Sequence, residues 1–175
     1  FYAGQKSVRI VHSFIYDGDQ QSDFIKSLGV QFDVPMRESL HNRHIRFSGE
    51  KNGLWSESVK PLIGRYPFTF RNEKNLAEKQ FAGERLPEIT ADDERAFDFY
   101  NEFPAWNDYK LTQLSANGFS IYKRTNDKSS WLHADDGDRA KGLALVGDVS
   151  GGLAVSLKDF WQSYPAALEV NDART

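Results

Sequence analysis

The sequence predicts a mainly β protein, an antiparallel β-sandwich with one short, partly helical insertion. Three observations lead to this class. Aromatic residues make up 14% of the 175 residues, and such a composition is typical of sheets. Short apolar stretches alternate with polar residues at a period of two, and turn signals separate them. About nine or ten such stretches follow one another, which favours two packed antiparallel sheets.

The first half of the chain contains alternating stretches that predict strands. Each is rich in β-branched or aromatic residues, and they are Ser7–Tyr16, Phe24–Val34, His41–Ser48 and Leu54–Val59. Turn signals separate them, with Asp17-Gly18-Asp19 after the first strand and Asn52-Gly53 before the fourth.

Two stretches in the middle of the chain predict the helical insertion. Asn72–Gly83 has an asparagine that can cap a helix, Leu76 and Phe81 roughly on one side, and a glycine that can end it. Thr90–Asp93 resembles a capping box before a second short helix that runs through Tyr100. Together they are too short for a separate domain, so we expect residues 1–175 to form a single domain.

The second half of the chain predicts the remaining strands, which are Tyr109–Ser115, Phe119–Thr125, Leu143–Val146, Leu153–Leu157 and Ala167–Val170. Asn117-Gly118 between the first two is a strong hairpin signal. Gly147–Gly152 lacks the lysine and hydroxyl residue of a phosphate-binding loop, and we interpret it as a wide turn. Asp135–Asp138 resembles half of a calcium loop without the closing glutamate, and it predicts a solvated turn.

The composition excludes several classes of function. The chain has no cysteine, which excludes disulfide scaffolds, thiol catalysis and cysteine zinc sites. No apolar run approaches the ~20 residues of a membrane helix. The net charge of −3 gives no general attraction to nucleic acid or anionic lipid. We therefore expect no membrane partner, no nucleic-acid partner, no metal site and no cofactor.

Two histidines and two arginines fall within six residues of the third predicted strand. His44 and Arg46 share one face of that strand, and Arg43 lies on the other. Neighbouring arginines disfavour a metal cation, whereas arginine binds carboxylates and histidine exchanges protons near neutral pH. The strand therefore predicts a site for an acidic ligand. The alternative is that these arginines pair with a carboxylate of the sheet, such as Asp33 or Glu57.

A second group of candidates combines aromatic rings with cations. Trp106 and Tyr109 are close in sequence, and Lys123 and Arg124 follow on the next predicted strand. Aromatic rings pack on the apolar face of sugars, and cations bind carboxylates, so this group predicts a site for an acidic saccharide. The alternative is an ordinary core, since a tryptophan is more often a buried anchor. The same two interpretations apply to Trp161.

Several stretches together resemble one known family. In chain order they are Asp23–Val30, Phe32–Arg37, Asn42–Phe47, Pro104–Gln113, Ser115–Phe119, Lys123–Thr125, Gly147–Gly152 and Asp159–Gln162. In this combination they are similar to the central β-sandwich domain of the exo-rhamnogalacturonan lyase / YetA-like family. The resemblance implies a sandwich between an N-terminal barrel-like domain and a C-terminal α/α toroid. It also implies a parent protein that cleaves the rhamnogalacturonan backbone of pectin by β-elimination.

The chemistry of β-elimination suggests candidates by residue type. The substrate carboxylate must be neutralised, a base must remove the adjacent proton, and an acid must protonate the leaving oxygen. Arg37 or Arg43 has the charge for the first task, and His44 or Tyr109 has the proton chemistry for the others. The candidates for substrate binding are Arg37, Arg43, Trp106, Tyr109, Lys123, Arg124 and Trp161.

These observations predict the central module of a polysaccharide lyase, which contacts its flanking domains and forms one wall of an acidic-sugar cleft. The chain begins with Phe1, and we expect a domain of a longer protein that is inactive alone. A pectin substrate implies an extracellular or periplasmic location. One alternative is an autonomous, non-catalytic carbohydrate-binding module with exposed aromatic rings. Another is a structural spacer with large apolar patches.

Overall fold

A computed structural model describes residues 3–62, 76–90 and 94–175 of the chain. These residues divide into two compact units, Phe1–Asp33 and Val34–Thr175. The second unit contains the strands, the helices and the core of the protein.

The first unit has no regular secondary structure among residues 3–33. Its side chains are almost all exposed, and a turn around Asp19 receives hydrogen bonds from the backbone N–H groups of Ser22 and Asp23 at 3.2 and 2.8 Å. The strands predicted at Ser7–Tyr16 and Phe24–Val34 are therefore wrong for this structure. An alternating pattern makes a strand only when a second strand supplies hydrogen bonds, and neither stretch pairs with one.

The second unit is a sandwich of two four-stranded antiparallel sheets. The strands are β1 Arg43–Ser48, β2 Leu54–Ser58, β3 Asp108–Ser115, β4 Gly118–Arg124, β5 Leu132–Gly137, β6 Leu143–Asp148, β7 Gly151–Ser156 and β8 Ala166–Val170. Sheet A has the order β2-β1-β6-β7, and sheet B has the order β5-β4-β3-β8. The predicted antiparallel β-sandwich is thus confirmed.

The core lies between the inner faces of the two sheets. Alternate residues of each strand point inward, so Ile45 and Phe47 of sheet A are fully buried together with Leu111 and Ile121 of sheet B. Ile45 and Phe47 occupy the face of β1 that the sequence predicts for them. His41 and Asn42 precede this strand in a short 3-10 turn, although the sequence predicts that the strand begins at His41.

Two of the predicted turns are strands instead. Asp135–Gly137 belongs to β5, where it pairs with β4, so the prediction of a solvated turn at Asp135–Asp138 is wrong. The predicted wide turn at Gly147–Gly152 is wrong as well, because β6 and β7 extend until only two residues connect them. A Cβ atom on Gly147 would lie 2.4 Å from the Gly151 carbonyl oxygen. These glycines therefore allow two backbones to approach closely.

The helical insertion consists of α1 Leu76–Ala82 and α2 Glu94–Glu102. The described part of the predicted helix Asn72–Gly83 is confirmed, and residues 72–75 lie outside the described residues, as do residues 91–93 of the predicted capping box. None of the helices in the described part of the chain has the length and apolar character needed to cross a bilayer.

A buried amide attaches α1 to sheet A. The Gln80 Nε2 atom donates to the carbonyl oxygens of His41 and Lys60 at 2.7 and 3.0 Å, and its Oε1 atom accepts from the Leu62 N–H at 2.8 Å. Asn42 makes a similar pair of bonds with the backbone of Leu86. Buried amides that satisfy backbone groups in this way fix one arrangement of the segments they join.

Gln113 plays the corresponding part in sheet B. Its fully buried amide donates to the carbonyl oxygens of Ser115 and Asp138 at 2.8 and 2.9 Å and accepts from the Ala140 N–H at 3.0 Å. It thereby joins the end of β3 to the segment that follows β5.

We expect Gln113→Leu to lower the free energy of unfolding by about 2 kcal/mol, because the buried backbone groups lose their partners. Urea denaturation measures this change. Gln162→Leu, at an exposed position, is the matched control and should change the free energy by less than about 0.5 kcal/mol. Equal stability of the two variants would contradict the assigned role of Gln113.

Candidate functional site

A cleft of about 590 Å³ lies on the outer face of sheet B. It follows β3, β4 and β5 toward the β3–β4 hairpin. Its lining combines hydroxyl, amide, carboxylate, imidazole and aromatic groups, supplied by Thr112, Leu114, Asn117, Gly118, Phe119, Ser120, Tyr122, His133, Asp136, Gly137 and Asp138. Such a mixture of hydrogen-bonding groups and a ring suits a polar ligand that has some apolar surface.

A row of side chains crosses three strands beside the cleft, and two of its members, Tyr122 and His133, line it. Tyr122 of β4 is in register with His133 of β5 and with Lys110 of β3. The rings of Tyr122 and His133 meet edge to face, with centroids 5.6 Å apart. The Lys110 Nζ atom lies 5.3 Å from the centre of the Tyr122 ring. The row exists because Leu111 and Ile121 point into the core, which turns their neighbours outward.

Trp131 extends this row into a patch of cations and rings. Its ring centre lies 4.2 Å from the Lys110 Nζ atom and 4.5 Å from the Arg124 Cζ atom. Arg124 is also bound by Asp108, whose Oδ2 atom accepts from Nε at 2.7 Å. Within residues 3–62, 76–90 and 94–175, no ion pair joins Lys110 to a carboxylate. Lys110 thus contacts two rings beside the cleft and makes no ion pair there.

A second cation and ring adjoin the hairpin end of the cleft. The Arg139 Nε atom donates to the Asn117 Oδ1 atom at 2.7 Å, and Asn117 lines the cleft. The Arg139 Cζ atom lies 4.4 Å from the centre of the Trp161 ring. Arg139 therefore lies between the cleft lining and Trp161, which the sequence predicts as a substrate-binding residue.

The acidic groups of the cleft are not arranged around a cation. Asp136 pairs with His133 at 3.2 Å between Oδ1 and Nε2. Among the described residues, no three histidine, aspartate or glutamate side chains converge in a group that could hold a metal ion.

Trp106 and Lys123, two of the sequence-predicted residues, meet at an edge of the sandwich. The Lys123 Nζ atom lies 4.1 Å from the centre of the Trp106 ring and binds both oxygens of Glu57, at 2.6 and 2.7 Å. Glu57 is on β2 and Lys123 is on β4, so this ion pair joins sheet A to sheet B. Burial raises the pKa of Glu57, and Lys123 opposes that shift.

Tyr109 lies in the core instead of in a cleft. It is fully buried, its ring is 6.1 Å from that of Trp55, and its hydroxyl group has no hydrogen-bond partner in the described residues. Burial, and then the charge of Glu57, raises the pKa of Tyr109 well above its ordinary value. The phenol therefore stays protonated.

The predicted arginines of the first half are separate from the cleft. Arg43 donates to the carbonyl oxygens of Glu38, Ala173 and Thr175 at 2.8, 3.1 and 2.9 Å. It thus joins two distant parts of the chain and does not form the predicted ion pair with Asp33 or Glu57. Arg37 is exposed, and its backbone N–H donates to Asp148 at 2.8 Å.

His44 points away from the core on the outer face of sheet A. Burial lowers the pKa of His44, and the neighbouring charge of Arg46 lowers it further. Its Nε2 atom is buried without a partner in the described residues. The structure therefore brings Trp106 and Lys123 together, whereas Arg124 and Trp161 lie outside the cleft lining, against Trp131 and Arg139 respectively. It does not gather Arg43, His44 and Tyr109 in one site.

Sequence reasoning selected none of the residues that line the cleft, and the row of side chains beside it, Lys110, Tyr122, Trp131 and His133, was also missed. For two of these four residues, the sequence contains a pattern that predicts their position. Lys110 and Tyr122 lie on the polar face of the predicted hairpin. Because residues opposite each other on paired strands are neighbours, the hairpin pattern predicts that these two side chains contact each other on the outer surface. Trp131 and His133 had none, because no strand was predicted between Thr125 and Leu143.

The fold and the cleft define a class, an antiparallel β-sandwich domain with a ligand-sized cleft on one outer face. A sequence profile described as "PcRGLX-like protein central beta sandwich domain" matches residues 1–175. The chain belongs to this family, which confirms the resemblance drawn from its motifs. It is also similar to a protein described as "Uncharacterized protein YetA" from Bacillus subtilis (strain 168), with 37% identity over 172 residues. That match covers 97% of this chain and 19% of the relative, so the chain spans about a fifth of its length.

We expect Lys123→Met to destabilise the protein by about 2 kcal/mol at pH 7, because Glu57 keeps a half-buried charge without its partner. The raised pKa of Glu57 means that the folded chain holds this proton more tightly, so stability falls as pH rises through that pKa. Without Lys123 this fall becomes larger. Urea denaturation at pH 4 and pH 7 should show the smaller loss at pH 4.

The double variant Glu57→Gln/Lys123→Met is the control for this experiment. It removes both charges and should be more stable at pH 7 than Lys123→Met alone. If the single and double variants lose the same free energy at both pH values, the ion pair does not hold the two sheets together.

Proposed function

We propose that this domain is the central module of a polysaccharide-processing protein and that the cleft on sheet B binds an acidic saccharide. One observation carries the proposal. Lys110, which makes no ion pair with a carboxylate among the described residues, contacts the rings of Tyr122 and Trp131, and Tyr122 lines a polar cleft. A uronate ring needs such a set of groups, because it has a carboxylate, several hydroxyls and an apolar face.

Each part of a uronate has a matching group at this site. The Lys110 ammonium group suits the carboxylate, since a charged hydrogen bond is stronger than a neutral one. Asn117, Asp136 and the hydroxyl groups of the lining suit the sugar hydroxyls. The rings of Tyr122 and Trp131 suit the C–H face of the sugar. The acidic residues lie within the cleft and the cation lies beside it, so the saccharide carboxylate is expected on the Lys110 side.

The identity of the polysaccharide is proposed from the family. The PcRGLX-like description and the motif resemblance support a parent protein that acts on rhamnogalacturonan-type pectin as a lyase. A polymer of this size is met outside the cytoplasm, so we propose an extracellular or periplasmic parent. In that parent the module contacts the flanking domains and forms one wall of the substrate cleft.

We further propose that the elimination step is carried out by residues outside this domain. A lyase needs a solvent-accessible base close to a group that neutralises the substrate carboxylate. Tyr109 is fully buried with a raised pKa, and Arg43 is engaged by three backbone carbonyls. These positions support a binding and packing role for the module, without chemistry of its own.

Replacing Lys110 by glutamine is expected to weaken binding of a rhamnogalacturonan oligosaccharide to residues 1–175 by about three- to tenfold, because the carboxylate loses its cation. Isothermal titration calorimetry at low salt measures the affinity. Glu169 is the register neighbour of Lys110 on β8, so Glu169→Gln should strengthen binding by removing a competing negative charge.

Two controls separate this interaction from a general charge effect. Lys158→Gln makes the same change at an exposed lysine of the β7–β8 connection and should leave the affinity unchanged. A methyl-esterified oligosaccharide lacks the carboxylate charge, so wild type and Lys110→Gln should bind it equally. If Lys158→Gln weakens binding as much as Lys110→Gln does, the cleft is not the site.

The proposed division of labour predicts where lyase activity resides. The full-length gene product should release unsaturated uronate from rhamnogalacturonan, which is measured by its ultraviolet absorbance, and residues 1–175 should release none. Trp131→Ala in the full-length protein should raise KM, with a smaller effect on kcat, because a binding platform is lost. Activity of residues 1–175 alone would contradict the assignment of chemistry to another part of the protein.

A further inference from the structure

Residues 3–33, here called the arm, have the pattern of two strands without a sheet. Val8, Ile10, Phe14 and Tyr16 fall on one side of a period-2 ladder. A second ladder runs through Phe24, Leu28, Val30 and Phe32, with polar residues or glycine between the last three. Both stretches thus have one apolar face, which is the property of a strand that covers a core on one side.

The apolar side chains of the arm are exposed to solvent. Phe24 is 82% exposed and Ile15 is 96% exposed. The others that are large, apolar and exposed are Val8, Ile10, Val11, Phe14, Tyr16, Ile25, Leu28, Val30 and Phe32. Soluble proteins rarely leave so many large apolar side chains uncovered in one stretch, and such a surface marks an interaction site.

Few backbone groups of the arm form hydrogen bonds with one another. Within residues 3–33, the hydrogen bonds between backbone groups are the two that Asp19 accepts in its turn. This turn separates the two stretches, and the Tyr16 hydroxyl donates to the Asp23 carbonyl across it at 2.7 Å. The rings of His12 and Phe14 stack with centroids 6.2 Å apart, so these residues already share a side as they do in a strand. The free N–H and C=O groups can therefore extend an existing sheet.

We propose that the arm adds strands to an open sheet edge in the part of the protein that lies outside residues 1–175. The length of the family relative argues for this occupant, because the matched region is only 19% of that protein. A segment with two strand patterns is also suited to docking on another domain, since a strand added to a sheet buries an apolar face and satisfies its backbone together. This interaction is independent of the saccharide site proposed above.

Hydrogen–deuterium exchange tests the proposal. We expect the amides of Ser7–Tyr16 and Phe24–Phe32 to exchange near the unprotected rate in residues 1–175 alone and at least tenfold more slowly in the full-length gene product. Equal exchange in the two proteins would overturn the proposal. So would protection in residues 1–175 alone, either at all concentrations (the arm pairs within the chain) or rising with concentration (a second copy is the partner).

Paired variants in the full-length protein test the apolar face. Ile10→Asp should remove most of the protection of Ser7–Tyr16, because it buries a charge against the partner sheet. Ser13→Asp places the same charge on the opposite side of the ladder, where Ser7 and Arg9 also lie, and should leave the protection unchanged. Neither variant should change the melting temperature of residues 1–175, where both positions are exposed. Equal protection in the two variants would also overturn the proposal.

Discussion

The β3–β4 hairpin is the element on which the rest of the sandwich depends. Its strands pair from Asp108 and Arg124 down to Ser115 and Gly118, which the two-residue turn Ala116-Asn117 connects. β8 and β5 then pair with its two outer edges to complete sheet B. Because side chains alternate along a strand, a register shift by one residue would expose its buried residues. The packing of the inner face therefore also fixes the outward row that borders the cleft.

Two lysines of this hairpin point to opposite faces of sheet B, and this difference determines what each charged group can bind. Lys123 points between the sheets, where burial makes a lone charge costly, and it is compensated by Glu57 of the opposite sheet. Lys110 points outward, where solvent stabilises its charge, and it contacts rings in place of a carboxylate. The first lysine is therefore suited to joining the sheets, whereas the second is suited to binding a ligand.

Sequence reasoning predicted the fold better than the site, and the difference has a physical cause. The hairpin at Asn117-Gly118 and the inner face of β1 follow from local patterns, because turn chemistry and period-2 burial are properties of neighbouring residues. The positions of Arg43 and Tyr109 depend on which distant segments pack against them. Arg43 contacts Ala173 and Thr175, and no local pattern predicts such a contact. Residue type alone thus made candidates of side chains that the fold uses internally.

Predicting strands from apolar alternation failed in opposite ways for β5 and for the arm. Asp135–Gly137 has no apolar pattern, and yet it forms a strand because β4 offers it an edge. Ser7–Tyr16 has a clear apolar pattern, and yet it forms no strand in residues 1–175. In both cases the availability of a partner decides the conformation, since a ladder needs two strands. Neither stretch of the arm pairs with a strand among the described residues, so its exposed apolar face gives the chemistry that the proposed docking partner must match.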